Sequence, residues 1–431
     1  MSKEENRKNF SKYVSQNILG MIGFSCYVLA DSYFISIAKG ADGLTALNLV
    51  MPLYSIIFSI GEMIGVGSAI RYAISKIKKD ADADDYFWNA LIWCILSSIL
   101  FVFAGIFFSA DIMRVLGADE HIVAVGNNYT KIFMCFAPMF MCNYVTNAFV
   151  RNDGAPGIAM SATLFSSLFN IVFDYILMFP MNLGMEGAAL ATALSPIIGM
   201  GICSIHFFSK KSSVRLVVCK PSVRKLVAGC QLGVSAFVGE MSSAVITLAF
   251  NFVILKLTGN VGVAAYGVVA NIAIVTTAVF NGVAQGSQPL ISSCFGRGDK
   301  DGCTQLKRMG YTTAFVLAAV MYSILFIFAG QFVAVFNSEG SEMLRLYATE
   351  GVKLYFIGIF FAGINIVGGG AFSATEDAFK AAVVSVARGF VLILGAVFVM
   401  SAFFGMTGVW LAYAVAEGIT TFIMLVMAMR V

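Results

Sequence analysis

Four side chains carry oxygen into stretches of the first half that are otherwise apolar: Asp31, Asn170, Asp174 and Thr192. Ionisable groups inside a bilayer are costly and face a cavity or a partner. With about 1.5 Å of rise per residue, Asp31 lies about 10 Å from the nearer end of its stretch, Asp174 about 9 Å and Thr192 about 12 Å, all measured from the same side. Asn170 precedes Asp174 by four residues, so the two share a helix face one turn apart. Two carboxylates, an amide and a hydroxyl from three stretches therefore fall in one layer. These are hard oxygen ligands, suited to a small cation such as sodium. Two neighbouring carboxylates also readily hold a single proton between them and titrate as a unit. Residue types leave both ions open, with an inclination to sodium, because the amide and hydroxyl add ligands that a proton-sharing pair does not need.

Other charges in apolar surroundings invite different chemistry. Arg388 and Glu417 both fall about 14–15 Å deep on consecutive stretches, which predicts a structural ion pair. Glu240 lies fourteen residues into its stretch and is a candidate for substrate contact or gating. Glu62 is expected to reach water near the end of its stretch and not to act as a ligand. Glu186 is expected to favour the start of a helix through the helix dipole, and His206 to sit at the interface. No GxxxxGK[ST], HExxH or G-x-S-x-G pattern occurs, so ATP hydrolysis and soluble hydrolase chemistry are not expected. The nine cysteines form no CxxC pair and are expected to be packing residues without disulfides or zinc. The chain is expected to be no enzyme and to need no cofactor beyond a coupling ion, Na+ or H+.

The elements that must hold these residues follow from composition. Of 431 residues 59% are hydrophobic and only 12% charged, with mean hydropathy +0.85. Soluble domains carry about 25% charged residues, so a water-soluble globule and a disordered chain are excluded. A net charge of +4 is too small to suggest nucleic acid. Twelve apolar stretches, from 13–38 to 406–429, are long enough to cross a bilayer as helices. None shows the alternation of a membrane barrel strand. The first is too long for a signal peptide and contains Asp31. With the N-terminus inside, the inner segments hold 21 of 28 basic residues, Arg151 among them, and the outer segments six. The positive-inside rule then places both termini in the cytoplasm of a multi-pass plasma (inner) membrane protein.

A shift of about 220 residues lays one half on the other. GADGLTA at 40–46 meets GNVGVAA at 259–265, GMEG at 184–187 meets GMTG at 405–408, and Gly67-Ser68 meets Gly286-Ser287. RNDGAPG at 151–157 meets FSATEDA at 372–378. Two parallel six-helix repeats are a transporter plan, with substrate held between lobes. The lobes are expected at 1–215 and 216–431, the cation site in the first. Under the shift Asp31 meets Phe250, Asn170 meets Val391, Asp174 meets Gly395 and Thr192 meets Tyr413. The second half has no second cluster, so the fold itself does not require one.

The chain resembles the multidrug and toxic compound extrusion (MATE) family over nearly all its length. The resemblance rests on LADSYF (29–34), Pro52, GVGSA (65–69), NIVFDYILMFPMNLGMEGAALAT (170–192), GVAAYGVVANI (262–272) and GVAQGSQPLIS (282–292). It is most similar to the DinF branch and, through Glu240, to the MepA-like members. The resemblance implies an all-α bundle of twelve transmembrane helices in two six-helix lobes. It implies cation-coupled antiport of amphipathic, often cationic, organic compounds out of the cell by a monomer in contact with lipid. It also implies that Asp31, Asn170, Asp174 and Thr192 bind the cation, with Tyr27 close by. Related members carry a proline early in helix 1 where this chain has Gln16, so a proline-driven bend is not expected. A lipid-linked precursor flippase is the alternative. It would want a basic central cavity, and only Arg388 is basic at mid-depth. A membrane-embedded enzyme using the two carboxylates is a remote third.

Overall fold

The computed structural model describes residues 3–336 and 341–429. These form helices with short turns, and no strand occurs among them. The spans are α1 (Lys3–Gly40), α2 (Asp42–Lys78), α3 (Asp85–Val115), α5 (Pro156–Met178) and α6 (Gly184–Phe207). Between α3 and α5, α4 joins Glu120–Cys135 to Ala137–Asn152 across a 46° bend. In the second half Val223–Gly296 divides at Gly259 into α7 (223–258) and α8 (260–296). Then follow α9 (Lys300–Ile327, continued by Ala329–Phe336) and α10 (Glu342–Ala374). The last helical run divides at Gly405 into α11 (378–404) and α12 (406–429). Nine described helices are long and apolar enough to cross a membrane, or ten spans with the bent pair as one; the divisions at Gly259 and Gly405 bring the spans to twelve.

The duplication is written into the backbone. Gly40 and Gly259 break the helix with φ of 59° and 67°, and Gly184 and Gly405 turn the chain with φ of 52° and 57°. Residues with a Cβ rarely adopt this region, which explains why glycine recurs at both pairs. At Gly40, Gly259 and Gly405 the connection is therefore tighter than the gaps between apolar stretches suggest, a single residue in place of a loop. At two further turns the left-handed residue is glycine in only one half: Lys79 (φ 60°) answers Gly298 (φ 72°), and Glu376 (φ 60°) lies one position beyond the residue that Gly154 (φ 87°) meets.

Two large apolar cores form. One gathers Ile35, Val50, Ile57, Phe133, Phe149 and Ala188 with other residues drawn mainly from the first half. The second gathers Phe250, Tyr266, Phe280, Tyr355, Trp410 and Tyr413 from the second half, and takes in Phe10 and Val14 from α1. The halves touch near the end of the bundle where α1 begins. There a Cβ on Gly67 of α2 would lie 2.0 Å from the Gly229 carbonyl oxygen of α7, and one on Gly233 2.0 Å from the Met63 carbonyl oxygen. The repeat-related pair is also close, with a Cβ on Gly282 or Gly286 of α8 lying 2.5 and 2.7 Å from the Cα atoms of Ile18 and Val14 on α1. Backbones that approach this far need small residues between them, as in lipid-embedded helix pairs generally. Hydrogen bonds between the halves gather at the same end: Arg71 pairs with Glu376 and donates to the Ala228 carbonyl, and Ser222 N donates to Asn89 Oδ1.

Gly67→Ala should force α2 from α7. An overpacked contact costs about 1–3 kcal/mol, so the variant is expected to unfold at lower temperature in detergent, with the same loss for Gly233→Ala. Unchanged melting would show that the helices separate freely at this point.

Candidate functional site

α1, α5 and α6 bring the first-half cluster into the protein interior. Asp31, Asn170, Asp174 and Thr192 are all buried. Asn170 and Asp174 lie one turn apart on α5, and Thr192 faces them from α6. With its nitrogen toward Asp174 Oδ2 (3.1 Å), the Asn170 amide places its oxygen where the Thr192 hydroxyl and backbone N–H donate to it (3.1 and 3.2 Å). The reverse orientation leaves the nitrogen donating only to the Thr192 hydroxyl, so the surroundings dictate the first. Asp31 stands within electrostatic reach of Asp174. One oxygen of each, Oδ1 in both cases, is buried without a hydrogen-bond donor. Buried carboxylate oxygens without donors are expensive, and a cation or a proton is the chemistry that satisfies them. Among the described residues no three of His, Cys, Asp and Glu gather as a metal site; this cluster instead combines two acids with an amide and a hydroxyl.

Tyr27, one turn before Asp31, is half-buried and within electrostatic reach of Asp31, Asp174 and Glu240. It lines a cavity between the halves together with Phe58, Glu62, Arg151, Glu240 and Gln285. A second cavity adjoins the first, shares Glu62, Glu240 and Gln285 with it, and reaches Arg388. Tyr27 thus stands between this vestibule and the buried cluster. The hydroxyls of Tyr54 and Tyr129, 2.5 Å apart, also lie within reach of both acids. Nothing in the sequence marked them, since tyrosines on apolar helices read as core.

The second half fills the equivalent space with rings. Phe250 stacks on Tyr266 with centroids 5.0 Å apart, and Tyr413 on Tyr355 at 4.4 Å. Arg388 and Glu417 meet in this half, Nη2 to Oε1 at 2.6 Å and Nε to both carboxylate oxygens at 3.1 and 3.2 Å. Asn365 adds a bond to Glu417 Oε2 at 2.7 Å, and the Thr421 hydroxyl donates to Asn365 Oδ1 at 3.0 Å. Arg388 stands in a π-helical turn, Ala387–Val391, inside α11.

Three residues differ from expectation. Glu62 is buried and accepts a bond from Gln285 Nε2 at 3.3 Å, because α8 closes over it. Arg151, placed in an inner connecting segment by the positive-inside count, is only 4% exposed and lines the vestibule. His206 is buried against Asp153 at 2.8 Å, covered where Ser212 and Ser213 fold back onto that aspartate. α1 is helical up to Gly40, with Gln16 at the position where relatives place proline.

The MatE family model matches residues 17–176 and again 236–399, most of the chain in two blocks that follow the internal repeat, and the chain belongs to the MatE family. It is 27% identical over 414 residues to the multidrug export protein MepA of Staphylococcus aureus (strain MRSA252), spanning 93% of this chain and 89% of that protein. It is 26% identical over 405 residues to MepA of Staphylococcus saprophyticus, with the same coverage. Its fold superposes, with a TM-score of 0.92 at 20% identity over 99% of this chain and 96% of the other, on a solved structure described as the outward-facing conformation of a multidrug resistance MATE family transporter of the MOP superfamily. The protein is a multi-pass membrane protein with the fold expected of this family.

Removing one partner of a buried ion pair leaves an uncompensated charge and costs about 3–5 kcal/mol. Arg388→Met and Glu417→Leu are each expected to lower the yield of folded protein sharply, and the double variant to restore much of it. A double variant no better than the worse single one would show that the two charges do not depend on each other.

Proposed function

We propose that this chain is a secondary active exporter of amphipathic, often cationic, drug-like compounds, driven by sodium or protons entering the first-half cluster. The observation that supports it most is the pair of carboxylate oxygens buried without donors, on Asp31 and Asp174, in a cluster that the duplicated half lacks. Family membership and the likeness to MepA supply the multidrug reading. The positive-inside count supports an inner-membrane protein with both termini cytoplasmic, so that the end closed by the glycine contacts faces the cytoplasm. The lobes, 1–215 and 216–431, are the moving parts. Asp31, Asn170, Asp174 and Thr192 form the cation site, Tyr27 and Glu240 serve substrate contact or gating, and Arg388–Glu417 is a structural pair inside the second lobe.

Coupling follows from differential affinity. A cation that satisfies both acids favours one lobe arrangement and drug favours the other, so each shifts the equilibrium that the other reads. One elementary charge moving through 100 mV contributes about 2.3 kcal/mol, which gives the cycle its direction.

Asp31→Asn and Asp174→Asn are each expected to fold and insert but to abolish gradient-driven export. Asn170→Ala and Thr192→Ala separate the two ions. A sodium site uses their oxygens as ligands, whereas a proton site needs them only to orient the acids. With sodium as the driving ion, both variants lose sodium-driven flux and retain some proton-driven flux. The experiment is drug flux in vesicles with equal pH on both sides and sodium as the only gradient. Wild-type flux there supports sodium; none there, with normal flux under a pH gradient, identifies the proton as the coupling ion. Normal export by either aspartate variant would remove the cluster from the coupling role.

A further inference from the structure

At the base of the vestibule, away from the cation cluster, two buried ionisable side chains, one acidic and one basic, come from the first half: Glu62 of α2 and Arg151 of α4. They lie within electrostatic reach of each other, yet Arg151 bonds to neutral amides. Its Nη1 donates to Gln285 Oε1 at 2.7 Å and to Asn17 Oδ1 at 3.5 Å, and its Nε is buried without an acceptor. Gln285 comes from α8, in the other half, and its Nε2 donates to Glu62 Oε1 at 3.3 Å. A glutamine amide carries one acceptor and one donor group, so a single side chain meets the guanidinium with its oxygen and the carboxylate with its nitrogen.

This arrangement has a consequence when the halves part. Buried charges without partners are strongly unfavourable. If α8 moves away, Gln285 leaves with it, and Glu62 and Arg151 must find new partners or block the motion. α2 and α4 pack closely, a Cβ on Gly65 meeting the Tyr144 and Val145 backbones at 2.9 Å, so the two charges stay together on one body. We propose that Gln285 is a lobe latch: it holds the halves together by separating Glu62 from Arg151, and its withdrawal lets those two close on each other as a direct ion pair. Both arrangements then satisfy the same charges by different means, which keeps the energy gap between them small. The same shift that relates the repeats sets Gln285 against Val66 and Glu62 against Asn281. The second half therefore holds no equivalent, and the fold alone does not demand the latch. The inference rests on the exporter reading, since it supposes that the lobes alternate.

The latch makes opposite predictions for two substitutions. Gln285→Leu removes donor and acceptor at similar volume, so it disfavours the closed arrangement. Glu62→Gln still accepts from Gln285 when the lobes are together, but leaves Arg151 without a counter-charge when they part, so it disfavours the open arrangement. Amide hydrogen exchange of the full chain in lipid nanodiscs reads both, at residues 10–18, 63–67, 229–233 and 282–286, where the halves touch. Exchange there should rise about tenfold in Gln285→Leu and fall about tenfold in Glu62→Gln. An ordinary structural network would loosen in both. Faster exchange in both variants, or no change in either, overturns the latch. Where Gln285→Leu does not fold, Glu62→Gln alone carries the test, because only the latch makes it slow exchange. These measurements need neither drug nor gradient. Opposite shifts in the two variants, with no export by the wild type, refute the exporter reading but keep the alternation of the lobes on which the latch depends.

Discussion

Two carboxylates buried in lipid, each with an oxygen that no protein group satisfies, set the terms for the rest of this protein. A helical bundle in a membrane already meets its backbone hydrogen bonds internally, so it has no structural use for Asp31 and Asp174. Asn170 and Thr192 sit beside them, and on the proposed reading a small positive species that comes and goes satisfies the two unpaired oxygens. The free energy of that exchange is what a gradient can turn into motion.

In the proposed cycle the duplicated architecture supplies the bodies that move. Glycine recurs with positive φ at matching turns of both halves, and glycine contacts join α2 to α7 and α1 to α8 in repeat-related fashion. Symmetry of the backbone contrasts with asymmetry of the chemistry. Acids occupy the interior of one half, whereas stacked rings and one compensated ion pair fill the other. In the proposed cycle, cation binding changes the electrostatics of the first lobe. Between the lobes the vestibule carries Glu62, Glu240, Arg151 and Arg388, so its walls present both signs of charge.

Much of this was legible in the sequence, and for physical reasons. The expense of an acid in lipid singles out Asp31 and Asp174, and helical rise fixes their shared layer. The repeat shows because turns that need positive φ retain glycine, as at Gly40 and Gly259. What escaped the sequence depends on convergence from distant elements. Glu62 was expected to meet water because helix position alone does not show α8 closing over it. The positive-inside count places Arg151 in an inner connecting segment, and only the packing of α4 reveals its burial. His206 is drawn inside by the connection that folds back onto Asp153. Gln285 carries no charge to mark it, and its role emerges only from the two groups it separates. The turn at Glu376 shows the limit from another side: its left-handed backbone lies one position beyond the residue that a first-half glycine meets, so residue type there does not announce the turn.

The central claim is that Asp31 and Asp174 together bind the cation that drives the cycle. It is tested most directly by thermal stability of the purified protein while sodium is raised at fixed pH and ionic strength, and while pH is lowered at fixed sodium. A ligand that binds only the folded protein stabilises it by RT ln(1 + [L]/Kd), which is about 2.7 kcal/mol at one hundred times Kd. The account predicts a saturable cation-dependent rise in the wild-type melting temperature that disappears in Asp31→Asn/Asp174→Asn. A double variant that is stabilised as strongly as the wild type would contradict it.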